Sequence, residues 1–175
     1  IHPEGISDLL EEKSFQESSL VDHLMKNFKL NGYQEVNPPL LEYENNFNYS
    51  SNKSLNEDTL LVIDSISNKT MHIRNDITPQ IARIASSRKI EKGLPLRLSY
   101  TGYVLKSKGN QLHPDRQIRQ AGIELFNKHS NESAIEVISV GLESLKKVNI
   151  SNIIIDITIP SLTNIILNNF NIDEE

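Results

Sequence analysis

Two long strand-like runs, Leu94 to Lys106 and Arg116 to Phe126, flank a polar loop containing Gly109 and Pro114, and they constrain this chain more than any other feature. Runs of this kind with turn residues between them fold back as an antiparallel hairpin. A two-stranded ribbon is at best marginally stable alone in water, so helices or another sheet must cover it. On the return run, Gln120, Gly122 and Glu124 alternate with Ala121, Ile123 and Leu125. Successive strand side chains point to opposite faces, which puts the polar three on one face and the apolar three on the other. Either the polar face meets water while the apolar face packs inward, or the polar face lines a binding site.

The rest of the chain supplies the cover. Val21, Leu24, Met25 and Phe28 recur at helical spacing before Asn31-Gly32, which predicts a helix from about Phe15 to Leu30. Tyr33 to Val36 reads as a short strand, Pro38-Pro39 as an extended break, and Leu40 to Tyr43 as the irregular start of the next segment. The stretch from Asn45 to Asp58 is polar and rich in Asn and Ser, the composition of a surface loop. Thr59 to Ile66 and Thr70 to Arg74 predict two strands joined at Ser67, Asn68 and Lys69. Thr78 can cap, and Pro79 can open, a helix ending near Ser87 with Ile81, Ile84 and Ala85 as its buried stripe.

A second strong helix is expected from about Glu132 to Val148, capped by Ser130 or Asn131, with Ala134, Val137, Ile138, Gly141, Leu142 and Leu145 inward. Asn152 to Ile159 is apolar enough for a central strand, and Pro160 opens a last helix with Leu162, Ile165 and Ile166 inward. This order predicts an α+β fold in which an antiparallel sheet is flanked by helices.

Composition narrows the function. At 175 residues the chain is long enough for one ordinary core. A net charge of -5 argues against a free-standing nucleic-acid binder, which needs a basic face to neutralise phosphates, so no tRNA partner is expected. The absence of cysteine removes disulfides, thiolate zinc sites and cysteine nucleophiles, and fits a reducing compartment. His2, His23, His72, His113 and His129 lack ligand spacing, so no metal is expected. Without a long apolar run or a signal-like N-terminus, the expectation is a cytoplasmic protein with no membrane contact.

Three segments carry more specific information. Gly32-Tyr-Gln-Glu-Val-Asn-Pro-Pro39-Leu-Leu-Glu42 resembles class II synthetase motif 1, where a helix and a strand ending at a proline build the dimer interface. It also reads as a helix-ending glycine before a proline-broken strand. Ile73-Arg74-Asn75-Asp76-Ile77-Thr78-Pro79-Gln80 places a carboxylate and a hydroxyl side by side, a pairing suited to an α-ammonium group and equally to capping the helix that Pro79 opens. The segment is similar to the R-P-E-G-T region of histidyl-tRNA synthetases. Through Ala85 it is similar to the R-A-D-M-T-P-Q-V-A-R-I-A pattern of the regulatory subunits of ATP phosphoribosyltransferase, non-catalytic relatives of those synthetases in histidine biosynthesis. Tyr100 to Phe126 resembles the same subunits' Y-x-G-x-V-L-R-x-K-G-x-Q-L-R-P-E-R-Q-F-x-Q-x-G-x-E-L-I, and Gly5-Ile-Ser-Asp-Leu-Leu10 resembles their opening.

The resemblance implies a class II synthetase-like core over residues 1–175, truncated before that superfamily's third motif. It further implies a regulatory subunit that is not an enzyme, carries no cofactor, and supports a short-form catalytic subunit and histidine feedback. Homodimerisation through Gly32, Tyr33 and Pro39 is also implied. Histidine is the implied ligand, with Asp76, Thr78, Gln120 and Glu124 on its ammonium or imidazole, Gly122 leaving room, and Lys106 or Arg116 facing a carboxylate or phosphate. The alternative is a synthetase fragment that activates histidine with ATP. Lys106 and His113 oppose it, because both stand where the resembled patterns carry arginine, and a lysine point charge does not reproduce an arginine fork on an α-phosphate. A binding module with an unrelated partner is a third possibility.

Overall fold

The computed structural model describes residues 1–43, 59–88, 94–126 and 130–157. Its elements run α1 (Glu11–Leu30), β1 (Gln34–Glu35), β2 (Leu41–Tyr43), β3 (Leu60–Ile63), β4 (Thr70–Ile73), α2 (Thr78–Ser87), β5 (Leu96–Leu105), β6 (Gln117–Phe126) and α3 (Asn131–Lys147). The fold is α+β, with the strands divided between two three-stranded sheets ordered β1-β5-β6 and β2-β4-β3. All pairings are antiparallel except that of β1 with β5.

The β5–β6 hairpin is the spine. Its register is unbroken from Leu96 opposite Phe126 to Leu105 opposite Gln117. One face carries Leu96, Leu98, Tyr100 and Val104, which meet Ile77, Ile81 and Ala85 of the α2 region in the main core. Pro79 stands in the first turn of α2, where its missing N–H leaves no bond unmade. The opposite face is covered by α1 and α3, with Phe28, Tyr33 and Val140 forming a second core against Ile123. Both faces are therefore packed against other elements, and the polar strip of β6, Gln120, Gly122 and Glu124, is half-buried beside the α2 region.

Several expectations need correction. α1 begins at Glu11, a turn earlier than the apolar spacing indicated, with Glu11 and Glu12 placed favourably at its positive end. Leu41–Tyr43 is a true strand, because Arg74 N–H donates to Leu40 O and locks the chain after Pro38-Pro39 alongside β4. The buried stripe of α3 is Ser133, Val140 and Ser144, whereas Ala134 and Ile138 are exposed. A shift of one residue turns a helix by about 100°. The rotation is set by polar contacts on the α1–α3 seam: Asn27 Nδ2 donates to Ser144 Oγ at 2.7 Å, and Lys147 Nζ to Asn27 Oδ1 at 2.5 Å.

The expected strand over Asn152–Ile159 is not formed in its described part, residues 152–157, where Ile154 is 92% exposed. No described strand pairs with it. The Asn45–Asp58 loop, His129 and the helix expected from Pro160 lie outside the described residues.

Arg74 joins the two sheets. It is 5% exposed at the end of β4. Nε donates to Tyr103 O at 2.8 Å, Nη1 donates to Pro38 O at 2.9 Å, and its own carbonyl accepts from Leu105 N–H. Gly102 on β5 leaves the space that the guanidinium occupies. An ion pair between buried Glu42 and Arg83 ties β2 to α2 in the same region.

Candidate functional site

The segment from Arg74 to Thr78 runs beside the polar strip of β6, to which it is bonded at Gln120, and side chains from several elements meet there. Gln120 is fixed at both ends of its amide: Oε1 accepts from Ile77 N–H at 2.9 Å, and Nε2 donates to Asp76 Oδ1 at 2.8 Å. Asp76 Oδ1 also accepts from Thr78 N–H at 3.1 Å, so Asp76, rather than Thr78, receives the first N–H of α2. Capping and site assembly are thus the same bonds. They hold one Asp76 oxygen and leave the carboxylate's charge facing the cluster.

Glu124 lies farther along the same face of β6, two residues beyond Gly122. Burial, followed by the Asp76 carboxylate, pushes its pKa above the ordinary value. A second carboxyl this close to Asp76 concentrates negative charge and makes a site that attracts a cation. Tyr100 completes the group. It sits on β5 directly opposite Gly122, is 4% exposed, and its hydroxyl lies 3.0 Å from Thr78 Oγ1. Burial raises its pKa too, with Glu124 and Asp76 adding to the effect, so the phenol stays neutral.

Gly122 has a specific neighbour. A Cβ there would stand 2.6 Å from the Tyr100 hydroxyl oxygen, so the space over this glycine is taken by the phenol. The structure therefore assembles Asp76, Thr78, Tyr100, Gln120, Gly122 and Glu124.

Lys106 and Arg116 are placed elsewhere. They face each other just beyond the last pair of the hairpin, Lys106 N–H donating to Arg116 O. Arg116 precedes Gln120 by four residues, about 13 Å along the strand. Arg116 uses its guanidinium on the carbonyls of Lys106 and Glu4, while its N–H donates to Gly5 O, fastening the N-terminal segment across the hairpin's open end. His113 lies in the exposed loop, its N–H bonded to Asn110 Oδ1.

Of the proposed interface residues, Gly32 and Pro39 are exposed whereas Tyr33 is 2% exposed inside its own chain. The Tyr33 hydroxyl donates to Glu136, which also takes a two-pronged bond from Arg97. Burial and Glu136 push that phenol's pKa up to about 12.

Sequence reading missed Tyr100, Arg97 and Glu136. Alternation along β5 places Leu98, Tyr100 and Gly102 on one face, but a long loop leaves the register with β6 open, and only register sets Tyr100 against Gly122. Arg97–Glu136 joins residues far apart in sequence, and no local pattern announces it. Two cavities, of about 650 and 580 Å³, lie on the other side of the hairpin under α1, away from the carboxylates. Among the described residues no cluster of three or more His, Cys, Asp or Glu could hold a metal, and no helix is long and apolar enough to cross a membrane.

Residues 5–175 match the family model described as histidyl-tRNA synthetase. An ATP phosphoribosyltransferase regulatory subunit of Rhodospirillum centenum is 38% identical over 172 residues, 98% of this chain and 45% of the relative. One from Paramagnetospirillum magneticum is 39% identical over 160 residues, 91% of this chain and 42% of the relative. This chain thus spans less than half the length of these curated relatives. Among solved structures, an ATP phosphoribosyltransferase regulatory subunit/histidyl-tRNA synthetase from Bacillus halodurans superposes with a TM-score of 0.73 at 26% identity, covering 87% of this chain and 39% of that one. The apo histidyl-tRNA synthetase of S. aureus, at 16% identity and TM-score 0.63, covers 83% of this chain and 34% of its own and shares the fold.

Proposed function

This chain belongs to the histidyl-tRNA synthetase family, and we propose that it serves as a regulatory subunit of ATP phosphoribosyltransferase, without catalysis of its own. One observation carries this reading: Asp76, Thr78 and Gln120 are held together by their own hydrogen bonds beside the Glu124 carboxyl, while Lys106 stands where the resembled synthetase motif has arginine. The cluster suits a ligand with an ammonium and a second N–H donor, which histidine has. Activating that amino acid is a further demand. Charge developing on an α-phosphate needs preorganised donors, and losing one costs on the order of 10²- to 10³-fold in rate.

A pocket that binds histidine becomes a regulator when its affinity differs between active and inactive assemblies. The reading includes a short-form catalytic subunit as partner, homodimerisation near Gly32 and Pro39, part of a synthetase-like core domain over residues 1–175, and action in the cytoplasm without tRNA. The test is to mix the protein with histidine and ATP, follow pyrophosphate exchange, and measure histidine binding by calorimetry in parallel. Binding without exchange is expected. Exchange above background would overturn the proposal in favour of a synthetase fragment, and failure to co-purify with or stimulate a short-form catalytic subunit would overturn the partnership.

A further inference from the structure

We infer that Tyr100 is a positioning residue for the ligand's ammonium group, acting through Thr78; the inference rests on the histidine-binding reading above. A buried phenol O–H needs an acceptor, and among the described residues Tyr100 is bonded to Thr78 Oγ1 at 3.0 Å. Either hydroxyl of this pair can donate; with the phenol as donor, one lone pair of the threonine oxygen is occupied and the rotation of its hydroxyl is fixed. The other lone pair is then held in place beside the Asp76 carboxylate, whose Oδ1 is bonded to the backbone N–H of the same Thr78. An ammonium entering the cluster meets an oriented neutral acceptor and a carboxylate without having to organise either.

The position of the phenol is itself fixed. Tyr100 stands opposite Gly122, where even a methyl group would collide with its hydroxyl oxygen at 2.6 Å and with Cζ at 2.7 Å. Its ring packs in the core with Ile77 and Leu98. The glycine on β6 and the tyrosine on β5 are therefore one device: the glycine admits the phenol, and the phenol holds the threonine.

Calorimetric titration of histidine into the full chain, Tyr100→Phe, Thr78→Val and the double variant tests this, with imidazolepropionic acid, which lacks the ammonium, as a second ligand. Tyr100→Phe keeps the ring in the core, and thermal melting without ligand checks the fold. The expected result is histidine affinity about tenfold weaker in Tyr100→Phe, as for loss of one net hydrogen bond. Imidazolepropionate affinity should be unchanged, and the double variant should bind histidine no worse than Thr78→Val. Unchanged histidine affinity in Tyr100→Phe, equal loss for both ligands, or additive losses in the double variant would each overturn the inference while leaving the pocket in place. No histidine binding by the unaltered chain would overturn the reading of the pocket and this inference together.

Discussion

At the scale of single residues, the cluster combines side chains that sequence exposes with one that it conceals. Gln120, Gly122 and Glu124 are legible because strand alternation alone puts them on one face. Asp76 and Thr78 are legible as a pair, though the bond from Gln120 to Asp76 is not, because a contact across more than forty residues leaves no local trace. Glu124 carries the clearest physical consequence. Its pKa is raised above 4.5 in the folded chain, so the native state keeps a proton that the unfolded chain releases. The stabilising contribution is complete below the unfolded value and is lost as pH rises through the folded one. Urea midpoints of the ligand-free protein should therefore fall as pH rises from about 4.5 through that window. Glu124→Gln should flatten the curve there and abolish histidine binding; an unchanged pH profile would mean that the carboxyl is not the titrating group.

At the scale of elements, periodicity located the three described helices but misjudged part of one buried stripe. Of the apolar positions expected inward on α3, Val137, Gly141, Leu142 and Leu145 are half-buried but Ala134 and Ile138 are exposed, and Ser133, Val140 and Ser144 are the buried ones. Hydrophobic counting cannot see that Asn27 of α1, 2% exposed, needs partners, and that Ser144 and Lys147 supply them. Asn27→Ala is expected to destabilise the fold by about 1–3 kcal/mol in chemical denaturation, since the seam loses its bonds and Ser144 loses its donor. Combined with Ser144→Ala the losses should fall short of additive, because both remove the same bond. β2 was missed for a similar reason: the strand exists because Arg74 and Leu40 are hydrogen-bonded, a contact outside its own three residues.

At the scale of the whole molecule, the α+β class was legible from element order, whereas the division into two sheets was not. The sheets are hydrogen-bonded ladders with separate strands, and their connections include one cation on the carbonyls of Pro38 and Tyr103. Arg74→Met keeps the length and apolar stem of the side chain but leaves both carbonyls without that donor, at about 1–3 kcal/mol for each group. The variant should broaden the unfolding transition and separate its fluorescence and far-ultraviolet signals in denaturant. A single coincident transition, shifted to lower denaturant, would mean that the sheets are coupled by other contacts.

The same guanidinium has a consequence for how the native chain breathes. A sheet of three- and four-residue strands would ordinarily open far more often than a ten-residue ladder, and its amides would exchange with solvent early. Because Arg74 belongs to both, opening β2–β4–β3 means withdrawing a buried charge from the carbonyl of β5 as well. Amide protons of β4 should therefore exchange with the slow, global rate of the hairpin, making the weaker sheet part of the stronger one's cooperative unit.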